Sequence, residues 1–208
     1  MTIIQGLTSL LIGYLLGCIQ TSYFISNYIL KKDIREIGSG NAGASNVTSE
    51  LGWKFGVFTA LTDILKAYIP TQFIIYIFPN SYSDLDLMVL AGTGAILGHI
   101  YPFFLDFRGG KGIACYIGML LAIDWQIGLI VIILLTIITI ITDFISVGSI
   151  TLYLVIAILS YTQNYSNIII SCSVILFLVG IVKHWINIKR ILNGTEIGLR
   201  SVYKKNKT

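Results

Sequence analysis

Long apolar runs separated by short polar breaks dominate this chain. Residues 3–29 form a nearly continuous apolar stretch and predict a first membrane-spanning helix. A polar, glycine-rich loop follows over 31–55, then apolar runs over 56–78 and 86–105. Between those runs Pro79-Asn80-Ser81 reads as a turn on the outer side. From 112 to 183 the chain is apolar almost throughout, with breaks at Asp124, at Thr142-Asp143 and from Thr162 to Asn167. The breaks divide it into four helices, 112–123, 126–141, 147–162 and 168–184. A span takes about 20 apolar residues. The expectation is an all-α polytopic membrane protein with about seven transmembrane helices, one domain over 1–208. The helix over 112–123 is short, so a five-span topology with two of the last four helices not crossing stays open.

Composition agrees with the pattern. Of 208 residues, 55% are hydrophobic and 12% charged, and the mean hydropathy is +0.83. A soluble domain carries roughly 25% charged residues, which excludes a soluble enzyme, a disordered chain and a free nucleic-acid binder. Lys and Arg fall in three blocks: Lys31 to Lys54, Arg108 with Lys111, and Lys183 to the C-terminus, with only Lys66 apart. Basic loops stay cytoplasmic. The N-terminus is therefore expected outside and the C-terminus in the cytoplasm, for either span count. Basic residues follow the first apolar run instead of preceding it, the reverse of a signal peptide. Lys204, Lys205 and Lys207 suit a tail on anionic lipid.

Gly13/Gly17, Gly52/Gly56 and Gly94/Gly98 are small pairs at i, i+4, read as close helix packing. Cys18, Cys115 and Cys172 lie far apart in apolar runs, and there are two histidines, His99 and His184. Neither set has metal-ligand spacing, so no metal is expected.

Three polar segments interrupt the apolar sequence, all on the side expected to be cytoplasmic. Gly38 to Asn46 packs three glycines, two hydroxyls and two amides into nine residues. It reads either as a backbone N–H nest for an anion, with Ser39, Asn41, Ser45 and Asn46 as donors, or as a flexible loop. His99 precedes a second segment, Arg108-Gly109-Gly110-Lys111-Gly112, which resembles a phosphate cradle but lacks the Ser or Thr of a Walker loop. The bland alternative is a basic inner turn. The third runs from His184 to Glu196, with His184 and Asn187 on one helical face, alternatively a surface helix closed by Asn193-Gly194. Asp63 and Lys66, three apart within a span, are either a self-neutralising pair or part of a site.

Taken in this order, these segments resemble the glycerol-3-phosphate acyltransferases that use acyl-phosphate as donor, a bacterial membrane family. The likeness covers nearly the whole chain. Ser39, Gly40, Asn41, Gly43 and Asn46 match the first motif. Gly109, Gly110, Lys111 and Gly112 match the second, and His184, Asn187, Arg190, Gly194 and Glu196 the third. Ser146 and Ser149 match a serine pair near the family's site. The chain departs at Ser49 and Trp185, where the family pattern has arginine, and at Gln20 and Ala67.

The resemblance implies acyl transfer from acyl-phosphate to sn-glycerol 3-phosphate without metal, nucleotide or other cofactor. It implies a bacterial cell membrane location, with the active site facing the cytoplasm and the soluble enzyme that makes acyl-phosphate as a partner. His184, Asn187, Ser39 and Lys111 are the expected catalytic set. Gly40, Asn41, Gly43, Asn46, Lys66, His99, Arg108, Gly109, Gly110, Gly112, Ser146, Arg190 and Glu196 are expected to bind substrate or phosphate. His184, oriented by Asn187, is a candidate general base, with the donor's own phosphate as the alternative. Glu196 is expected to pair with a basic residue such as Arg190. Rivals are a paralogue with another acceptor or no activity, and a small transporter, which the absence of a long internal repeat disfavours.

Overall fold

The computed structural model describes residues 1–79 and 84–201. The Asn80-Ser81 part of the expected outer turn and the lysines at 204, 205 and 207 lie outside them. Every regular element among the described residues is helical. The helices are α1 (Ile3–Gly17), α2 (Thr21–Leu30), α3 (Ala44–Leu51), α4 (Trp53–Ile77), α5 (Asp84–Ile100), α6 (Ile113–Ile123), α7 (Trp125–Thr142), α8 (Ile145–Thr162) and α9 (Asn167–Leu192). Single 3-10 turns cover Ile34–Glu36 and Phe103–Leu105. The chain forms two compact units, Met1–Gly128 and Leu129–Thr208.

Among the described residues, five stretches are long and apolar enough to cross a membrane: Ile3–Leu30, Asp84–Leu105, Trp125–Thr142, Ile145–Thr162 and Asn167–Leu192. This set differs from the five-span topology expected above, because α7, α8 and α9 all qualify. Outside the set are α4, 25 residues long and carrying Lys54, Asp63 and Lys66, and the short apolar α6, with 11 residues. At 1.5 Å per residue α6 covers about 16 Å, half a hydrocarbon core.

In the first unit, glycines set how closely α1 and α5 approach. A Cβ at Gly13 or Gly17 would overlap the carbonyl oxygens of Ala91 and Ala95. A Cβ at Gly94 or Gly98 would overlap those of Leu10 and Tyr14. The small pairs of the two helices thus interlock one turn apart, as expected of such spacing. Gly52/Gly56 does not pack this way. Gly52, at φ +91°, is the joint between α3 and α4, and Gly56 meets Thr48.

Several boundaries differ from expectation, among them the end of the third run, where α5 stops at Ile100 and not at 105. The first span is broken at Cys18 to Gln20 into α1 and α2. The loop over 31–55 contains α3. The last helix runs eight residues further than expected, to Leu192, so His184 and Asn187 lie on a continuous helix.

In the second unit, Gly148 of α8 faces Leu135 and Thr139 of α7, and Gly180 of α9 faces the ring of Tyr153 on α8. The outer faces are apolar, with Ile133, Ile137 and Ile141 of α7 each 47–72% exposed. Such a surface is stable against lipid and not against water.

Candidate active site

The first loop is fixed from within. Asp33 clamps Arg35 through Nε, at 2.9 Å and 3.1 Å, and through Nη2, at 2.6 Å. Arg35 Nη1 donates to Leu105 O at 2.7 Å, tying the loop to the turn at Phe103–Leu105. Partial burial pushes the Asp33 carboxyl up, but the Arg35 hydrogen bonds and charge prevail and hold it below the usual carboxylate range. The same pairing raises Arg35.

Asn46 closes the loop. It is buried, its Nδ2 donates to Ile34 O and Ile37 O at 3.0 Å, and its Oδ1 accepts the Ser39 N–H at 2.8 Å. Both of its N–H donors and one acceptor position are used by the loop. Ser39 is exposed and Asn41 half-buried. Gly43 starts α3 with no side-chain cap, so the first N–H groups of that helix point out of its end.

The second loop folds back on the end of α5. Gly109 N–H donates to Ile100 O and Gly110 N–H to His99 O, both at 3.1 Å. Gln20 Nε2 also donates to His99 O, at 2.9 Å. Glycine is needed here for space: a Cβ at Gly109 would overlap His99 O, and one at Gly110 would overlap His99 Nε2. The same Cβ at Gly110 would lie 2.8 Å from Ala42 O. The two motif loops therefore meet at Ala42 and Gly110, beside the His99 ring. Gly112, at φ +87°, starts α6 without a side-chain cap. Lys111 is half-buried and Arg108 exposed.

Behind this junction lies a buried ionic cluster. Lys66 Nζ donates to Ile19 O at 2.6 Å, lies 2.8 Å from Asp63 Oδ1 and 2.9 Å from His99 Nδ1. The break between α1 and α2 presents the Ile19 carbonyl. An ammonium donates and cannot accept, so His99 Nδ1 accepts from Lys66, while Asp63 Oδ1 is held by charge, 2.8 Å from Nζ and 3.5 Å from His99 Nδ1. The proton of neutral His99 is then on Nε2, the edge against Gly110. Asp63, His99 and Cys115 offer donor atoms within 4.8 Å of one another. The Lys66 ammonium already occupies the Asp63 and His99 atoms.

The second unit holds the third motif. His184 is buried and its Nδ1 lies 2.9 Å from Gly180 O. A carbonyl only accepts, so Nδ1 carries the proton and Nε2 the lone pair. Past the end of α9, Thr195 N–H and Glu196 N–H both donate to Arg190 O, at 2.8 Å and 3.2 Å, with Gly194 at φ +67°. This turn brings Glu196 Oε1 to within 2.5 Å of Asn187 Nδ2. Glu196 thus pairs with Asn187, where Arg190 was expected; the Arg190 residue is exposed. Ser149 Oγ is spent on Ile145 O at 2.7 Å. Ser146 Oγ, in the first turn of α8, is buried and lacks a hydrogen-bond partner among the described residues.

Residues 7–194 match the model of a family described as glycerol-3-phosphate acyltransferase. The chain belongs to that family. A glycerol-3-phosphate acyltransferase of Thermoanaerobacter pseudethanolicus is 38% identical over 186 residues, 89% of this chain and 91% of the relative. One of Macrococcus caseolyticus is 38% identical over 189 residues, 90% and 93% of the two chains. The fold is similar to the crystal structure of PlsY (YgiH), an integral membrane glycerol 3-phosphate acyltransferase, in its glycerol 3-phosphate form. That match has a TM-score of 0.83 and 31% identity, and covers 93% of this chain and 95% of the other. This chain is accordingly a multi-pass membrane acyltransferase of lipid synthesis.

Within the family frame, the structure joins the first two motifs at Ala42 and Gly110 and joins Asn187 to Glu196 in the third. Ser49 and Trp185 are both exposed, and Lys189 Nζ sits 5.6 Å above the Trp185 ring. Sequence reasoning missed the Arg35–Asp33 clamp, Gln20 as a support of His99, and the Ile19 carbonyl. Gln20 was the available signal: it is polar within an apolar run and fully buried.

Proposed function

We propose that this chain transfers a fatty acyl group from acyl-phosphate to sn-glycerol 3-phosphate, giving lysophosphatidic acid and phosphate, the first acylation of phospholipid synthesis. The observation that carries the reading is the setting of His184: with Nδ1–H on Gly180 O, its Nε2 is the nitrogen that takes a proton. Solved forms of the similar PlsY with glycerol 3-phosphate and with lysophosphatidic acid support the acceptor and the product.

Acyl-phosphate is a mixed anhydride and needs no further activation. The acceptor hydroxyl oxygen attacks the acyl carbonyl carbon while its proton passes to His184 Nε2. The bond from that carbon to the phosphate oxygen then breaks, and the imidazolium returns the proton to the departing phosphate. The remaining demands are charge neutralisation and an oxyanion donor. Lys111, with Arg108 nearby in sequence, and the open first turns of α3 and α6 supply positive potential. Ser39 and Asn41 are the donors to phosphate or oxyanion, and Gly40, Gly43 and Gly112 give those turns their shape. In the second unit, Ser146 supplies a hydroxyl and Arg190 a positive charge, while Asn187 and Glu196 set the motif's shape. Asn46, Lys66, His99, Gly109 and Gly110 hold the loops together around this site.

All 208 residues then serve one acyltransferase domain of seven spans, counting α4 and α6, in the bacterial cell membrane. The N-terminus is outside and the C-terminus cytoplasmic. This orientation places the motifs on the side where glycerol 3-phosphate and the soluble enzyme that makes acyl-phosphate are found.

Purified protein in nanodiscs is given glycerol 3-phosphate with palmitoyl-phosphate, palmitoyl-CoA or palmitoyl-acyl carrier protein, and lysophosphatidic acid is read by mass spectrometry. Product is expected from palmitoyl-phosphate alone. Product from a thioester would overturn the donor. No product from folded protein, beside an active relative, would overturn the reaction.

A further inference from the structure

The third motif is anchored at a second point, away from its own helix. Asp143, at the turn between α7 and α8, receives the segment that follows Glu196. Its carbonyl accepts Leu199 N–H at 2.8 Å, and its carboxylate oxygen Oδ1 accepts Arg200 N–H at 2.8 Å. Arg200 Nε lies 3.9 Å from the same oxygen, and Arg200 Nη2 donates to Ile140 O at 3.1 Å. Gly198 is buried against the carboxylate, where a Cβ would overlap Oδ2. Asp143 itself holds φ at +71°, a conformation that Asp, Asn and Gly adopt more readily than other residues. The carboxylate therefore caps a backbone turn from across the chain, as an N-cap side chain does within its own helix.

The segment fixed in this way is short. It leaves α9 at Leu192, places Glu196 on Asn187, and reaches Asp143 by Leu199. Asp143 is also three residues before the buried Ser146. We infer that Asp143 is a positioning residue: by capping the Gly198–Arg200 turn it latches the post-α9 segment and holds Glu196 against Asn187 in the geometry that acyl transfer uses. This inference rests on the proposed role of the third motif in catalysis.

Two variants separate the cap from the turn. Asp143→Gly accepts the positive φ and deletes the carboxylate. Asp143→Asn also accepts it and keeps a side-chain oxygen as cap. Full-length protein in nanodiscs is assayed for acyl transfer and for the rate of trypsin cleavage after Arg200, read by mass spectrometry. A lost cap of ordinary strength raises the ratio of open to closed segment about fivefold. Asp143→Gly is expected to show faster cleavage and a lower kcat, the two factors multiplying to about fivefold, with KM for glycerol 3-phosphate changed less than about twofold. Asp143→Asn is expected near the parent in both readouts. Unchanged cleavage in Asp143→Gly would overturn the latch. Faster cleavage with unchanged kcat would overturn the positioning role. An Asp143→Asn variant as impaired as Asp143→Gly would show that capping is not the cause. If the parent itself transfers no acyl group, the catalytic reading of the third motif fails and the positioning role with it, while the cleavage rates still decide the latch.

Discussion

His99 and His184 are equally buried, each 3% exposed, yet their surroundings give them opposite chemistry. His99 Nδ1 meets an ammonium, so it accepts, and the ring proton sits on Nε2 against Gly110. His184 Nδ1 meets a carbonyl, so it donates, and Nε2 keeps the lone pair. One ring is built into a cluster with Lys66, Asp63 and the Ile19 carbonyl, and so serves the shape of two loops. The other has its Nδ1 on the Gly180 carbonyl of its own helix, which leaves Nε2 as the nitrogen that can take and return a proton. Residue type alone does not separate these roles, whereas the partner of Nδ1 does.

The largest effect expected from this contrast is on rate. Loss of a general base costs about 10²–10⁴-fold, so His184→Gln should lower kcat by that order, measured by single-turnover acyl transfer in nanodiscs. Activity near the parent level would make the donor phosphate its own base. His99→Gln should instead raise KM for glycerol 3-phosphate about tenfold, the value of a charge-assisted hydrogen bond, with kcat changed far less.

Stability comes next. Lys66→Met leaves Asp63 as a buried charge without its cation. Breaking such a pair costs about 3–5 kcal/mol, read as a lower thermal midpoint, and adding Asp63→Leu to that variant should recover much of it. Asn46→Ala strands two carbonyls and the Ser39 N–H. Buried polar groups left unpaired cost about 1–3 kcal/mol, with a matching rise in proteolysis of the 31–51 loop.

The smallest effect expected is on acid stability. The Asp33 carboxyl is held below its ordinary value by Arg35, so it binds fewer protons folded than unfolded. Its contribution is present above the unfolded pKa, near ~4. It is lost as pH falls through the lower folded value. Asp33→Asn should therefore reduce stability at neutral pH and flatten the acid limb of the profile, while leaving the difference between the two histidines unchanged.

Much of the helix layout was legible because lipid-facing helices must be apolar along their length. Asp124, Thr142-Asp143 and Thr162 to Asn167 marked their boundaries. The break at Cys18 to Gln20 was not legible, since Ile19 continues the apolar run and the lost helix bonds are replaced by contacts remote in sequence. Lys66 is 47 residues from Ile19 and His99 is 79 from Gln20. The short helix α3 was hidden by the glycines at both its ends. Motif membership was legible, but the use of the motif atoms was not. Gly109 and Gly110 read as part of a phosphate cradle, and their N–H groups serve the carbonyls of Ile100 and His99. Such pairings follow from where α5 ends in space, which spacing along the chain does not give.

The most direct measurement is nitrogen-15 NMR of the protein labelled at histidine and held in nanodiscs at neutral pH. The chain has two histidines, and His184→Gln assigns them. One Nδ1-protonated ring at His184 and one Nε2-protonated ring at His99 are expected. Two rings in the same tautomer, or an Nε2-protonated His184, would contradict the division of labour between the two sites.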